Sequence, residues 1–421
     1  MDKSERLIVF TRAKIKFQSA ESPRTPAEPL SPELPDFSLI LGGPLFQLLR
    51  RAHLSGDAAD LVSRRVIALA LITWLPLLAL SIAEGHAWGD TVKVPFLFDV
   101  DVHARFLLAL PLLILAELVV HQRMRLVVGT FVRRGVLPDE GRRRFDAAIA
   151  AAMRLRNSVL AEVLLIAFVY GLGVLFIWRR HAAMDVPTWY GMTVTGKLQP
   201  TLAGWWLGCV SAAPRPVHFT ALVFSAANLD AISLAGIADR PPSCGYSPDR
   251  AGGLGFLSTV TYAFAPLLAG QGVLLAGVMA NKIFYAGAKL TGFKLELLAM
   301  VTMMLFFVLA PLLVFTPRLA RTKRIGLAEY GGLAQRYVRE FDQKWLRGGA
   351  PTDEPLVGSA DLQSLADLGN SFEIVKGMKP VPFGKDTLLQ LAVVSLAPVA
   401  PLVLTMIPMG ELIDRFLHVV F

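Results

Sequence analysis

From Val66 to Ala83 the chain runs without a single charged side chain, and it does so again over Ala251–Ala280, Leu297–Pro317 and Thr387–Gly410. A helix rises 1.5 Å per residue, so about 20 apolar residues match the roughly 30 Å hydrocarbon layer of a bilayer. Helices apolar on every side belong in lipid or in the core of a very large protein. At 421 residues, with this many runs, the chain is read as a membrane protein.

Composition agrees. The chain is 54% hydrophobic and 18% charged, against about 25% charged in an average soluble domain. The net charge of +9 does not point to nucleic acid, because the basic residues gather at the ends of apolar runs. No nucleic-acid partner is therefore expected. Cys209 and Cys244 show neither C-x-x-C spacing nor a histidine pair, so neither a disulfide framework nor a zinc site is expected. No cofactor and no catalytic residue is expected either: the chain lacks G-x-S-x-G and H-E-x-x-H. His86 and His103, with Asp99 and Asp101, follow no ligand pattern, so no metal is expected.

Two further spans complete the apolar set, Phe106–Val120, interrupted by Glu117, and Asn157–Trp178, which holds Glu162. The stretch 201–224 is ambiguous, with Arg215 between two prolines. Charge decides it. Nine arginines lie between His121 and Arg156; Arg318, Arg321, Lys323 and Arg324 follow one span, and Lys376, Lys379 and Lys385 precede the last. By the positive-inside rule all face the cytoplasm, which needs an even number of crossings between Arg156 and Arg318. Only 201–224 can supply the fourth. The expected fold is an all-α multi-pass transmembrane bundle of about seven spans, six if 201–224 does not cross.

The order along the chain follows. Residues 1–64 form a cytoplasmic N-terminal tail with five prolines between Pro23 and Pro35, an extended tether with no cleavable signal peptide. Residues 65–317 form the bundle, 318–386 a cytoplasmic helical loop, and 387–421 the last span with a short outer tail. In this scheme Arg179, Arg180, Lys197, Lys282, Lys289 and Lys294 lie outside, against the charge rule, while Glu84, Asp90, Asp99 and Asp101 fit there. Trp88, Trp178, Trp189, Trp205 and Trp206 fall near outer boundaries, where indole rings favour the headgroup level. Ser359 or Asp361 caps the second helix of the 318–386 loop, and Leu362, Leu365 and Leu368 form its stripe.

SPDRAGGLGF (Ser247–Phe256), YGGLAQRYVREFDQKW (Tyr330–Trp345) and GSADLQSLADLGNSFEIV with PFGKDTLLQLA together resemble a family of uncharacterised polytopic inner-membrane proteins of proteobacteria. The resemblance covers the chain from about Val66 onward. It implies location and fold, and no activity. The family carries a His where Ser247 stands, and an aromatic- and Arg-rich segment where Val210–Tyr246 is rich in Ala, Pro and Ser.

Four residues are candidate binding groups. SPDRAGGLGF lacks the strand and the Lys-Ser/Thr of a phosphate loop. Asp249 is expected to cap the following span and Arg250 to meet lipid phosphates; the sharper alternative makes them a gate or ligand pair. Carboxylates in spans cost about 2.5–3.5 kcal/mol on insertion and tend to face a polar interior. Glu117 and Glu162 are placed at similar depth, with Arg123, Arg125, Arg154 and Arg156 as neighbours; they bridge to those arginines or form a proton- or cation-binding pair. Prolines recur in LPLL (Leu75–Leu78, Leu110–Leu113) and APLL (Ala265–Leu268, Ala310–Leu313), each removing a helix hydrogen bond.

The leading expectation is a small-solute or ion transporter or channel. The second is a non-catalytic scaffold or sensor acting through 318–386; a membrane enzyme is third. The expected partners are the bilayer, its anionic headgroups at the Arg-rich loops, and further copies of the chain.

Overall fold

The computed structural model of the chain describes residues 59–133, 187–194, 197–212, 249–252 and 254–406, with four helical positions at Arg143, Ala147, Ala150 and Arg154. All belong to one compact unit, Ser38–Phe421. The expected span Asn157–Trp178, most of Val210–Tyr246 and nearly all of the N-terminal tail lie outside the described residues.

Five helices are long and apolar enough to cross a membrane: Ser63–Ala83, Val100–Met124, Phe256–Ala286, Leu290–Leu313 and Lys385–Met406. They coincide with five of the expected spans. The first lies in α1 (Ala59–Ala83). The second starts in α2 (Val100–His103), passes through a π-helical stretch (Ala104–Ala109), and continues as α3 (Leu110–Arg133). A two-stranded antiparallel hairpin follows, β1 (Gly191–Val194) with β2 (Lys197–Pro200), pairing Gly191 with Pro200. Apart from this hairpin the described elements are helical, compatible with the all-α expectation. Behind it comes α4 (Leu202–Ala212). Helix α5 (Phe256–Thr261) leads by a 3₁₀ turn into α6 (Ala265–Ala286), and α7 (Lys294–Leu313) turns back.

Helix α6 is the hub. On one face Gly270 meets Leu113, and Gly277 meets Asp101 and Ala104; on another, Gly272 lies against the carbonyl oxygen of Ser395. Lipid tails are as apolar as leucine, so helices in a bilayer gain little by hiding apolar side chains from solvent. They associate through close backbone approach and polar bonds. Three glycines in AGQGVLLAG provide that approach. Its neighbours are α2–α3, antiparallel, and α10 (Lys385–Leu396), parallel, as the pairs Tyr262–Thr387 and Gly272–Ser395 require. By contrast α1 is only 17% buried over its apolar window, against 61% for the α5–α6 span.

The contacts define two ends. At one, the connection after α1, the start of α2, the hairpin and the end of α6 come together. At the other lie the loop before α5, the exit of α7 and the entry to α10.

Two of the recurring prolines sit inside helices, Pro76 and Pro311. Pro111 is the second residue of α3, after the π stretch, and Pro266 falls in the first turn of α6. Pro76 and Pro311 each remove a bond from the interior of α1 and α7, and Pro111 falls where the π stretch of the continuous second span gives way to α3.

From α7 the backbone stays right-handed helical through Val314 and Phe315 into α8 (Thr316–Phe341). A π turn closes α8, and α9 (Ala360–Lys376) folds back on it. The packed face of α9 holds Leu365, Leu368 and Val375, whereas Leu362 is exposed. The stripe expected from Leu362 is thus turned: the face begins at Asp361.

Candidate functional site

Apart from Ser395 at mid-span, most polar side chains buried among the described residues lie toward the two ends of the bundle. The first group closes on Asp99, which is 2% exposed. Asp99 stands just ahead of α2, and its Oδ1 accepts from the backbone N–H of Val102 at 3.1 Å. The same oxygen accepts from Asn281 Nδ2 at 2.7 Å, and Oδ2 accepts from Trp189 Nε1 at 2.7 Å. Asn281 Oδ1 in turn accepts from the N–H of Val100 at 3.1 Å. Donors to a carboxylate form bonds about twice as strong as neutral ones. Three elements distant in sequence are thereby tied to one side chain.

Trp189 is fully buried, against the expectation that it lies at the headgroup level. The reason is its partner: an indole N–H that finds a buried carboxylate goes inside with it. Phe96 packs edge-on to it at 4.9 Å, and Tyr190 at 5.4 Å. Burial, and then the Asp99 carboxylate, push the Tyr190 phenol up to about 12. Trp88 and Trp205 are exposed.

A second set of bonds fixes α1 and α4 to this end. Trp74 Nε1 donates to His103 Nδ1 at 3.0 Å, while His103 Nε2 faces the carbonyl of Leu97 at 3.1 Å. Glu84, one residue beyond α1, accepts from the backbone N–H groups of Leu202 and Ala203, at 2.8 and 3.4 Å. It thus caps the start of α4, where orphan N–H groups and the helix dipole favour an anion. Gly204 lies against the Tyr190 carbonyl, an approach no side chain permits. Asp101 pairs with Arg105 at 2.7 Å.

At the opposite end Glu117 pairs with Arg65: Oε2 accepts from Nη2 at 3.0 Å and Oε1 from Nη1 at 3.4 Å. Both side chains are largely buried, 15% exposed for Arg65 and 8% for Glu117. The arginine on Glu117 is therefore the one that opens α1. Arg123, near in sequence, is exposed. Antiparallel neighbours one span apart bring Arg65 to Glu117. Glu162, the other carboxylate of the expected pair, lies outside the described residues.

Asp249 and Arg250 are adjacent in a tight loop. Asp249 Oδ1 accepts from Ala251 N–H at 3.0 Å and Oδ2 from Gly255 N–H at 2.8 Å, so its carboxylate folds the loop just ahead of α5. A Cβ at Gly255 would fall 2.9 Å from Asp249. Arg250 takes φ +51°, rare for a residue with a side chain, and its carbonyl accepts from Lys379 N–H at 2.7 Å. The loop thereby straps the chain leaving α9 to the start of α5.

Beyond the bundle, Lys344 Nζ donates to Glu354 at 2.6 Å and to Asp361 at 2.8 Å, and Trp345 Nε1 donates to Asp361 at 3.0 Å. The lysine's bond, and then the indole's, hold the Asp361 carboxyl below the usual range; the same pairing raises Lys344. Ser359 occupies the cap position of α9 without a side-chain bond, and Asp361 serves the closing of the arm instead.

The sequence flagged Glu117, Asp249 and Arg250, and the fold gives each a partner. It passed over Asn281 and Arg65. An amide at the end of an otherwise uncharged run was the available signal for Asn281; for Arg65 none existed, because nothing local tells which span lies beside α1.

No family model, no curated protein sequence and no solved structure matches this chain.

Proposed function

We propose that this chain is a non-catalytic sensor or scaffold of the bacterial inner membrane, with its polar Asp99 end outward and its α8–α9 arm in the cytoplasm. One observation carries the reading: α7 passes into α8 through Val314 and Phe315 without leaving the helical region. A span so joined to an arm, whose far side is strapped to Arg250, transmits movement of the bundle to the arm. The exposed Leu346, Leu356 and Val357 give the arm's tip an apolar surface for a partner.

The orientation rests on charge. Arg318, Arg321, Lys323 and Arg324 open α8, and Lys376, Lys379 and Lys385 close the arm, which fits the cytoplasmic side and its anionic headgroups. Helix α4 starts at Glu84 and runs beside α1, with Leu207 against the cluster of Leu77 and Phe96. That is the start of the inward crossing that 201–224 supplies in the seven-span scheme. The N-terminal tail is cytoplasmic in the same scheme, and the resemblance to uncharacterised inner-membrane proteins is consistent with it.

A photo-crosslinking residue at Val357, 88% exposed, tests the sensor reading in cells. A discrete protein adduct at this position, absent from a control at lipid-facing Ile67, supports it; no adduct at Val357 contradicts it.

The second reading is transport, favoured by the Arg65–Glu117 pair within the bundle. Solute or proton flux in proteoliposomes that Glu117→Gln abolishes supports transport, and absence of flux for the purified protein removes it.

A further inference from the structure

We propose that His103 and Trp74 form a proton-released latch that holds α1 to the rest of the bundle. The inference deepens the sensor reading by naming its stimulus, acidity at the Asp99 end.

The bond partners fix the state of the ring. An indole N–H can only donate, and a carbonyl can only accept. Nδ1, which receives Trp74, therefore carries the lone pair, and Nε2, which faces Leu97, carries the hydrogen. A second proton has one place to go, Nδ1, where it meets the Trp74 N–H head-on. The imidazolium keeps its bond to Leu97 and loses the one to Trp74. Protonation thus cuts a single, identifiable connection between α1 and the start of α2. Imidazole is the side chain that changes charge in the mildly acidic range.

The consequence depends on what else holds α1. Its apolar window is 17% buried, the least of the five spans, and that burial centres on Leu77 and Ser81, beside Trp74. Trp74–His103 near its outer half and Arg65–Glu117 near its inner half tie it across to α2 and α3. Pro76 stands two residues beyond Trp74 and removes an interior backbone bond, so α1 already has a joint at the latch. Opening leaves the outer half of α1 held by the packing of Leu77 and its neighbours and by the Glu84 cap on α4, while Arg65 holds the inner half.

Other charged or titratable groups packed around this end are committed elsewhere. Asp99 is bonded to Val102, Trp189 and Asn281, and Asp101 to Arg105 on the same helix. From α6, Tyr285 donates to the Phe98 carbonyl and Lys282 lies over Phe293. Tyr190, on the hairpin, ionises only in strong base. Of the remainder, Glu84 caps α4, and His86 is the other imidazole at this end, its backbone bonded to Ser81 and Phe96. On α1, the turn that holds Trp74 presents Thr73 and Leu78, with no charge.

The test measures the distance between nitroxides at Ile82→Cys and Phe284→Cys, both exposed, in nanodiscs, with Cys209 and Cys244 replaced by serine. Between pH 7.5 and pH 5 the wild-type pair should lose its short-distance population to a longer one. His103→Gln, neutral throughout, should show one distribution at both values. Trp74→Phe, which lacks the donor, should show the released population already at pH 7.5. A wild-type distribution that ignores pH overturns the proposal. So does an acid response preserved in His103→Gln, or a latched Trp74→Phe. Nanodiscs contain no cytoplasmic partner, so these outcomes judge the latch alone, while the crosslink at Val357 judges the arm.

Discussion

Trp189 and Asp99, ninety positions apart in the chain, meet through a 2.7 Å hydrogen bond buried at one end of the bundle. Asn281 reaches the same carboxylate from a further 92 residues on along the chain, its Nδ2 2.7 Å from Oδ1. One acidic side chain thereby fixes where the hairpin, α2 and the end of α6 stand relative to one another.

Removing that side chain leaves three buried donors, the Val102 N–H, Asn281 Nδ2 and Trp189 Nε1, without their acceptor. An unsatisfied buried group costs about 1–3 kcal/mol, so Asp99→Ala should destabilise the bundle by at least about 3 kcal/mol. Asp99→Asn keeps one acceptor oxygen and turns an N–H toward another donor, so its cost should be smaller. Thermal unfolding in detergent reads both. Equal stability of wild type and Asp99→Ala contradicts the proposed role of the knot.

The Arg65–Glu117 pair makes a non-additive prediction. Breaking a buried ion pair from one side costs about 3–5 kcal/mol, whereas replacing both partners with apolar residues is often neutral. Glu117→Leu alone should therefore reduce the folded yield and the unfolding temperature. Arg65→Met combined with Glu117→Leu should recover most of both. A double variant as poor as the single one means the two side chains do not act as a pair.

Glycine substitutions separate approach from propensity. Gly272 touches the Ser395 carbonyl, so Gly272→Val should force α6 and α10 apart and abolish the folded state. Gly369, in the middle of α9, has nothing within 4 Å of the place a Cβ would take. Gly369→Ala should stabilise by about 0.5–1 kcal/mol, since alanine loses less freedom in a helix. Unfolding curves of the two variants test the pair.

These contacts show how far sequence carries a fold of this kind. Four uncharged runs and one interrupted only by Glu117 located the five candidate spans, because a bilayer imposes a length and penalises charge, both local properties. Which spans adjoin was not legible, since lipid-facing and protein-facing surfaces are equally apolar. Arg65 therefore did not announce its partner. Trp189 looked like a belt residue for the same reason: the pattern that puts an indole near a boundary does not reveal a carboxylate on the inner side. The Asp249 loop was more readable, because an Asp ahead of glycines and an apolar run is a local folding signal.

The α8–α9 arm has a pH window of its own. Asp361 lies below its ordinary value, so its contribution is present above that value and is lost as pH falls through the lowered one. Lys344 lies above its ordinary value, so its contribution is present below that value and is lost as pH rises through the raised one. Nitroxides at Glu340→Cys and Gln363→Cys should give one narrow distance between about pH 5 and pH 9, broadening below about 4 and above about 10.5. Asp361→Asn should broaden it at neutral pH. A distance unchanged over the whole range contradicts the closing role of these two residues.

The central claim is that the Asp99 end and the α8–α9 arm lie on opposite sides of a membrane. A membrane-impermeant maleimide applied to Asp90→Cys and Thr352→Cys, each in the cysteine-free background, measures this directly in right-side-out and inverted vesicles. Position 90 should be labelled only in the right-side-out vesicles and position 352 only in the inverted ones. Labelling of both positions from the same side contradicts the account.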